Sequence, residues 1–185
     1  MKNKAVFLDR DNTLIIDKGY VYKVADLKWR EGAKGALAFF SKIGYKLIVI
    51  TNQSGVARGY YTEEDVVSFH KHMNEDLLKT EGCRIDQFYF SPFHLEGTIE
   101  VYRKDTKCRK PGDALFKQAI NDFNISISKS IAIGDKYTDL QPGLNCGIKK
   151  AYLIKEECSI STMNYNNIKV VSNWAEVLDN IKNII

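Results

Sequence analysis

Short unbroken runs of apolar, largely β-branched residues alternate with stretches of helical periodicity along this chain of 185 residues, and that alternation constrains the fold more than any other feature. The candidate strands are Ala5–Leu8, Leu47–Ile50, Gln87–Phe90, Ser130–Ile133, Ala151–Ile154 and Lys169–Val171. Several have no polar alternation, as expected of strands buried on both faces of a parallel sheet. Between them, Glu31 to Ile43 puts Ala33, Ala36, Leu37 and Phe40 on one face, and Thr62 to Lys79 opens with a capping-box pattern, Thr62 and Asp65. Asp113 to Phe123 follows Pro111, a further helix holds Leu140 and Leu144, and Asn173 with Glu176 starts the last one. The pattern predicts an α/β fold, a doubly wound Rossmann-like parallel sheet, in which ligands sit at the carboxyl ends of the strands. Pro92, Gly97 and the lack of any period mark residues 91–109 as a loop insertion, read here as part of a single domain spanning 1–185.

Composition narrows the partners. A 44% hydrophobic content is enough for one core. The formal charge of +4, from 27 basic and 23 acidic residues without a basic block, argues against nucleic acid and suits a small anionic substrate. No apolar stretch reaches bilayer length and the amino terminus lacks a signal peptide's apolar core, so no membrane partner and a cytoplasmic location are expected. Cys83, Cys108, Cys146 and Cys158 form no C-x-x-C pair and are read as reduced thiols. No apolar stripe is left over once the core is assigned, which points to a monomer.

The polar residues at the strand ends carry the chemistry. Asp9 and Asp11 follow the first strand two residues apart, where extended backbone aims both side chains to one side. One carboxylate can attack phosphorus to give an aspartyl-phosphate, while the other protonates the leaving oxygen and then deprotonates water. Two carboxylates and a phosphate repel one another, so a divalent cation is required, and oxygen ligands favour Mg²⁺. Asp135, after Gly134 and the strand ending at Ile133, is the best remaining metal ligand. Thr51, Asn52 and Lys110 offer a hydroxyl, an amide and a point charge to the phosphoryl oxygens. Any one of these residues alone is better explained as a turn former or cap; their ordered combination is what points to phosphoryl transfer. Asp139 either steadies Lys110 or the metal shell, or caps its helix.

Longer strings extend the reading. Phe7-Leu8-Asp9-Arg10-Asp11-Asn12-Thr13, Asp17-Lys18-Gly19-Tyr20-Val21, Thr51 through Gly59, Cys108-Arg109-Lys110-Pro111 and Gly134-Asp135-Lys136 resemble the signatures of the haloacid dehalogenase superfamily. Within it they look like the D-glycero-D-manno-heptose 1,7-bisphosphate phosphatases, and the first and fourth strings are shared with the related histidinol-phosphate phosphatases. The resemblance implies a fold without a large cap domain, Asp9 as nucleophile, Asp11 as general acid and base, and Thr51 and Lys110 on the phosphoryl group. It places Mg²⁺ on Asp9, the Asp11 carbonyl and Asp135. It also implies that Asp17, Gly19, Tyr20, Gln53, Ser54, Arg109 and Lys136 contact a phosphorylated sugar, Arg109 gripping the distal phosphate through its fork. The other reading of Arg109 is a solvated loop arginine. The reaction implied is removal of the 7-phosphate of the heptose bisphosphate in making nucleotide-activated heptose for surface polysaccharide. The alternatives are another small phosphorylated metabolite, such as histidinol phosphate, or a non-catalytic phosphosugar-binding protein.

The chain departs from that resemblance in one place. Family members that carry a zinc loop have Cys-x-His and Cys-x-Cys pairs where this sequence has Ser91, Phe93, Thr106 and Cys108. One thiol cannot make a tetrahedral site, and His94 is displaced by one position, so no structural zinc is expected. Phe93, Leu95, Ile99 and Tyr102 are then candidates for an apolar cluster holding the loop. His70 and His72 face different sides of a helix and are read as surface residues.

Overall fold

A computed structural model of the chain describes residues 2–155 and 167–183. Cys158 falls outside them; Cys83, Cys108 and Cys146 are free thiols. The strands are β1 (Lys4–Leu8), β2 (Tyr45–Asn52), β3 (Gln87–Ser91), β4 (Ile131–Gly134), β5 (Lys150–Ile154) and β6 (Ile168–Val171). They form one six-stranded sheet in the order β3-β2-β1-β4-β5-β6, and every pairing is parallel. The helices are α1 (Ala33–Lys42), α2 (Glu63–Glu81), α3 (Ala114–Asp122), α4 (Tyr137–Asn145) and α5 (Trp174–Lys182). Among the described residues no helix is long and apolar enough to cross a membrane.

The sheet is doubly wound because each strand sends alternate side chains into two different cores. Val6, Leu8, Leu47, Val49, Ile131 and Ile133 face one core with Leu37 and Phe40 of α1, Phe69 and Met73 of α2, and Trp174 and Val177 of α5. Ala5, Phe7, Ile48, Ile50 and Ala132 face the other, with Leu115, Phe116 and Ala119 of α3 and Leu140 of α4. Apolar residues are needed on both sides, which is why these strands read as unbroken apolar runs.

Local chemistry sets the helix starts. The Thr62 hydroxyl accepts from Asp65 N at 3.2 Å while Asp65 Oδ2 accepts from Thr62 N at 2.8 Å, so the capping box forms as the sequence predicts. Asn173 Oδ1 accepts from Glu176 N at 3.0 Å at the start of α5. β2 extends past its apolar run to include Thr51 and Asn52, because its ladder with β3 continues through the Asn52–Ser91 pair.

The chain leaves β1 for β2 and β3 on one side, then crosses to β4, β5 and β6 on the other. The carboxyl ends of β1 and β4 therefore diverge into a crevice, the usual ligand position in such sheets. No separate cap accompanies the sheet among the described residues. The 91–109 stretch is mostly irregular, with one 3-10 turn at Glu100–Tyr102.

Candidate active site

A cleft of about 500 Å³ opens at that divergence. Its walls include Asp9 and Asp11 beyond β1, Asn52 and Ser54 at the end of β2, Arg109 and Lys110, and Lys136 and Asp139 beyond β4. Asp17, Gly19 and Tyr20 line it from the loop after Asp11.

The centre of the cleft is a buried charge cluster. Lys110 Nζ donates to Asp9 Oδ1 at 2.6 Å, pairs with Asp139 Oδ1 at 2.8 Å and donates to the Ile50 carbonyl at 2.7 Å. Burial alone would lower the Lys110 pKa, but Asp9 and Asp139 reverse this and hold it above its ordinary value. The ammonium is a fixed positive charge. Burial pushes the Asp9 carboxyl well above the usual range; Lys110 opposes that shift, and the nearby Asp139 and Asp11 add to it. Burial, then Asp139, pushes Asp135 up to about 6.

Three clustered carboxylates, Asp9, Asp135 and Asp139, exceed the charge that Lys110 supplies to them, which bears on the metal. Oxygens of Asp9, Asp135 and Asp139 lie within 4.8 Å of one another, and Asp135 Oδ1 is buried with no hydrogen-bond partner. A hard cation fits this all-oxygen set. Asp139 is the poorest candidate ligand of the three, since Oδ1 pairs with Lys110 and Oδ2 accepts from Lys136 N at 2.9 Å. Both alternatives for Asp139 therefore hold at once: it steadies Lys110 and it caps α4. Gly134 owes its place to this side chain, because a Cβ there would lie 2.5 Å from Asp139 Cβ.

Asp11 is held at both oxygens, Oδ1 accepting from Arg10 Nε at 2.7 Å and Oδ2 from Gln53 Nε2 at 2.8 Å. Gln53 Nε2 also donates to Thr51 Oγ1 at 2.9 Å, which leaves the Thr51 proton for another acceptor. Asp17 Oδ1 accepts from Gly19 N and Val21 N, both at 3.0 Å, and so shapes its loop. Gly19 has φ of +116°, a conformation that side chains rarely adopt. Arg109, half-buried, donates from Nη1 to the Phe93 carbonyl at 3.2 Å.

Four expectations need correction. Gln53 does not face a sugar: it is 1% exposed, and Oε1 accepts from Arg10 Nη2 and Tyr61 Oη while Nε2 is occupied as above. Asn52 reaches the cleft wall, but its side-chain amide clamps the backbone of Lys110 through bonds of 3.0 and 3.1 Å rather than pointing at a phosphoryl oxygen. His70 is buried, stacked on Phe88 with ring centroids 4.3 Å apart, whereas His72 is partly exposed. Leu95 and Ile99 are exposed and form no loop core. Instead Ile99 N donates to the Ala57 carbonyl, His94 N to that of Tyr102, and Tyr102 Oη to Glu63 at 2.6 Å, while Tyr102 packs against the Val56, Tyr61 and Val66 cluster.

Sequence reasoning passed over Arg10 and Tyr61 and misplaced His70. The spacing Val66, Phe69, His70, Met73, Leu77 is a helical apolar stripe, and it could have placed His70 inside.

The chain is similar to known proteins over most of its length. A family model described as HAD-hydrolase-like matches residues 107–173. The D-glycero-beta-D-manno-heptose-1,7-bisphosphate 7-phosphatase of Haemophilus influenzae is 40% identical over 153 residues, covering 83% of this chain and 82% of the relative. The D-glycero-alpha-D-manno-heptose-1,7-bisphosphate 7-phosphatase of Campylobacter jejuni is 37% identical over 181 residues, 97% of this chain and 99% of the relative. Among solved structures, the D,D-heptose 1,7-bisphosphate phosphatase of B. bronchiseptica, complexed with magnesium and phosphate, superposes with a TM-score of 0.84 at 21% identity, covering 98% of this chain and 99% of that one. The last likeness concerns the fold alone.

Proposed function

The chain belongs to the haloacid dehalogenase superfamily, in the family of the D-glycero-D-manno-heptose-1,7-bisphosphate 7-phosphatases, and is a phosphoric monoester hydrolase; from that premise we propose that it removes the 7-phosphate of this sugar bisphosphate. The observation that carries the reading is the convergence of Asp9, Asp11 and Lys110 on one cleft at the β1–β4 divergence, with the Asp135 carboxylate within 4.8 Å of that of Asp9.

The residues divide the work by position. Asp9 Oδ2, the oxygen not held by Lys110, attacks phosphorus, and the bond to the sugar oxygen breaks. Asp11, held at both oxygens, gives its proton to that leaving oxygen. It then takes a proton from the water that attacks the aspartyl-phosphate, which restores Asp9 and releases phosphate. Lys110 Nζ, exchanging one of its three bonds for a phosphoryl oxygen, and the Thr51 hydroxyl hold the phosphoryl group, where charge is spread in the transition state. Asp9, the Asp11 carbonyl and Asp135 would hold Mg²⁺, which when bound offsets the repulsion between these carboxylates and the phosphate. Asp17, Gly19, Tyr20, Ser54 and Lys136 face the sugar, and Arg109 grips the distal phosphate. We place the protein, a single domain acting as a monomer in the cytoplasm, in the supply of activated heptose to surface polysaccharide.

A phosphate-release assay with Mg²⁺ and a panel of phosphate esters tests the assignment. Release of one phosphate from the heptose bisphosphate is expected. Good turnover of histidinol phosphate with none of the heptose ester would overturn the substrate. Asp9→Asn should abolish turnover and leave binding, measured by calorimetry, largely intact.

A further inference from the structure

We propose that Arg10 is a positioning residue for Asp11, and that through its buried guanidinium and Gln53 the proton-exchanging carboxylate and the loop of Asp17–Tyr22 are set as one unit. The proposal rests on the reading of Asp11 as general acid and base.

Arg10 is 0% exposed, and a guanidinium out of water is tolerated only when its donors are satisfied. Nε bonds Asp11 at 2.7 Å; Nη2 bonds Gln53 Oε1 at 2.9 Å and the Val21 carbonyl at 3.0 Å; Nη1 lies 3.3 Å from His70 Nε2. The guanidinium carbon also stands 5.1 Å from the centre of the Phe69 ring. Because a guanidinium can only donate, His70 Nε2 must accept and the imidazole must be neutral. Burial and the Arg10 charge both hold His70 well below its ordinary pKa, in agreement.

The same logic fixes Gln53. Arg10 can only donate, so Oε1 faces it, and Nε2 is left to face Asp11 and Thr51. Asp11 thus has one fixed donor on each oxygen, both fixed donors come from the protein, and its side chain is 21% exposed to the cleft. A carboxylate free to rotate would spend most of its time off the line to the leaving oxygen. The bond to Val21 adds a second consequence: the loop bearing Asp17, Gly19 and Tyr20 is anchored to the group that orients the acid. The rival reading is a core arginine needed only for folding.

The two readings part on the leaving group. p-Nitrophenolate departs without a proton, whereas a sugar alkoxide needs one. Wild type, Arg10→Lys and Arg10→Gln would be compared by rapid quench with Mg²⁺, using p-nitrophenyl phosphate and the sugar phosphate that wild type turns over fastest. Arg10→Lys keeps a charge but loses the fork, and Arg10→Gln, which buries no charge, serves if the lysine variant fails to fold. The expected result is a loss of about 100-fold in first-turnover cleavage of the sugar ester with p-nitrophenolate release kept within about threefold. A p-nitrophenolate burst should follow, because the water step also needs Asp11. An equal loss on both esters, or none on either, overturns the proposal. Absence of Mg²⁺-dependent turnover of any ester by wild type overturns the acid–base reading beneath it, a separate outcome.

Discussion

Replacing Gly134 by alanine adds one methyl group at the carboxyl end of β4, and the surroundings of that position give the size of the effect. The new Cβ would lie 2.5 Å from Asp139 Cβ, whereas ordinary contact begins at 3.4 Å, so one of the two must move by about 0.9 Å. Asp139 is held at 2.8 Å to Lys110 and at 2.9 Å to Lys136 N, and a shift of that size takes either bond beyond hydrogen-bonding range. Overpacking costs about 1–3 kcal/mol and a lost cap about 1 kcal/mol, so the variant should be less stable by about 2–4 kcal/mol. For a chain of this size that lowers Tm by roughly 5–15 °C. Lys110 loses one of its two carboxylate anchors, and a misplacement near 1 Å should lower kcat by about 100-fold with a smaller change in KM. Gly35→Ala is the control, since Gly35 lies exposed on α1 with nothing within 4 Å of its Cβ position. It should gain about 1 kcal/mol and keep its kcat. Calorimetry and phosphate release on the two variants decide the matter. Wild-type Tm and kcat in Gly134→Ala, with the control behaving as expected, would refute the steric account.

Arg109→Met should raise KM for the bisphosphate by about 10–100-fold and leave KM for a monophosphate almost unchanged; equal shifts on both would remove Arg109 from the distal phosphate. The raised Asp9 and Asp135 carboxyls mean that, without metal, the folded chain keeps protons that the unfolded chain has lost above its ordinary pKa of 3.8. Metal-free stability therefore falls as pH rises from about 4 through 6 and beyond, and the Tm gain from Mg²⁺ should be larger at about pH 8 than at about pH 5.5. An equal gain at both, by differential scanning fluorimetry, would count against the carboxylate set as the binding site. Elemental analysis of purified protein should find no stoichiometric zinc, and a zinc chelator should leave Tm unchanged, because the 91–109 loop is held by bonds such as Ile99 N to Ala57 O. A chelator-induced drop in Tm would contradict this.

The sheet and the charge cluster were legible because each follows from short-range patterns: apolar runs with the lengths of strands, and Asp, Thr, Lys and Gly at the points where those runs end. The pairing of Thr62 with Asp65 shows the same economy, since both partners of the bond lie within one turn. Gln53 and Asn52 were not legible. Both sit in a string that borders the cleft, yet their partners, Arg10 and Lys110, lie 43 and 58 residues away, and only the folded chain shows that those partners use up the amides. His70 was misplaced by its polarity, although stacking on Phe88 and the bond region of Arg10 absorb an imidazole without water. For Leu95 and Ile99, composition suggested a core where backbone hydrogen bonding does the holding.

The strand order has a consequence for how the protein emerges from the ribosome. β1, β2 and β3 can pair as soon as the first half of the chain is available, but β1 takes its second neighbour, β4, which begins 40 residues after β3 ends, only later. Until then neither Asp135 nor Asp139, both beyond β4, can reach Asp9. Pairing of β4 with β1 brings both to Asp9, so hydrolytic activity should report assembly of the second half of the fold.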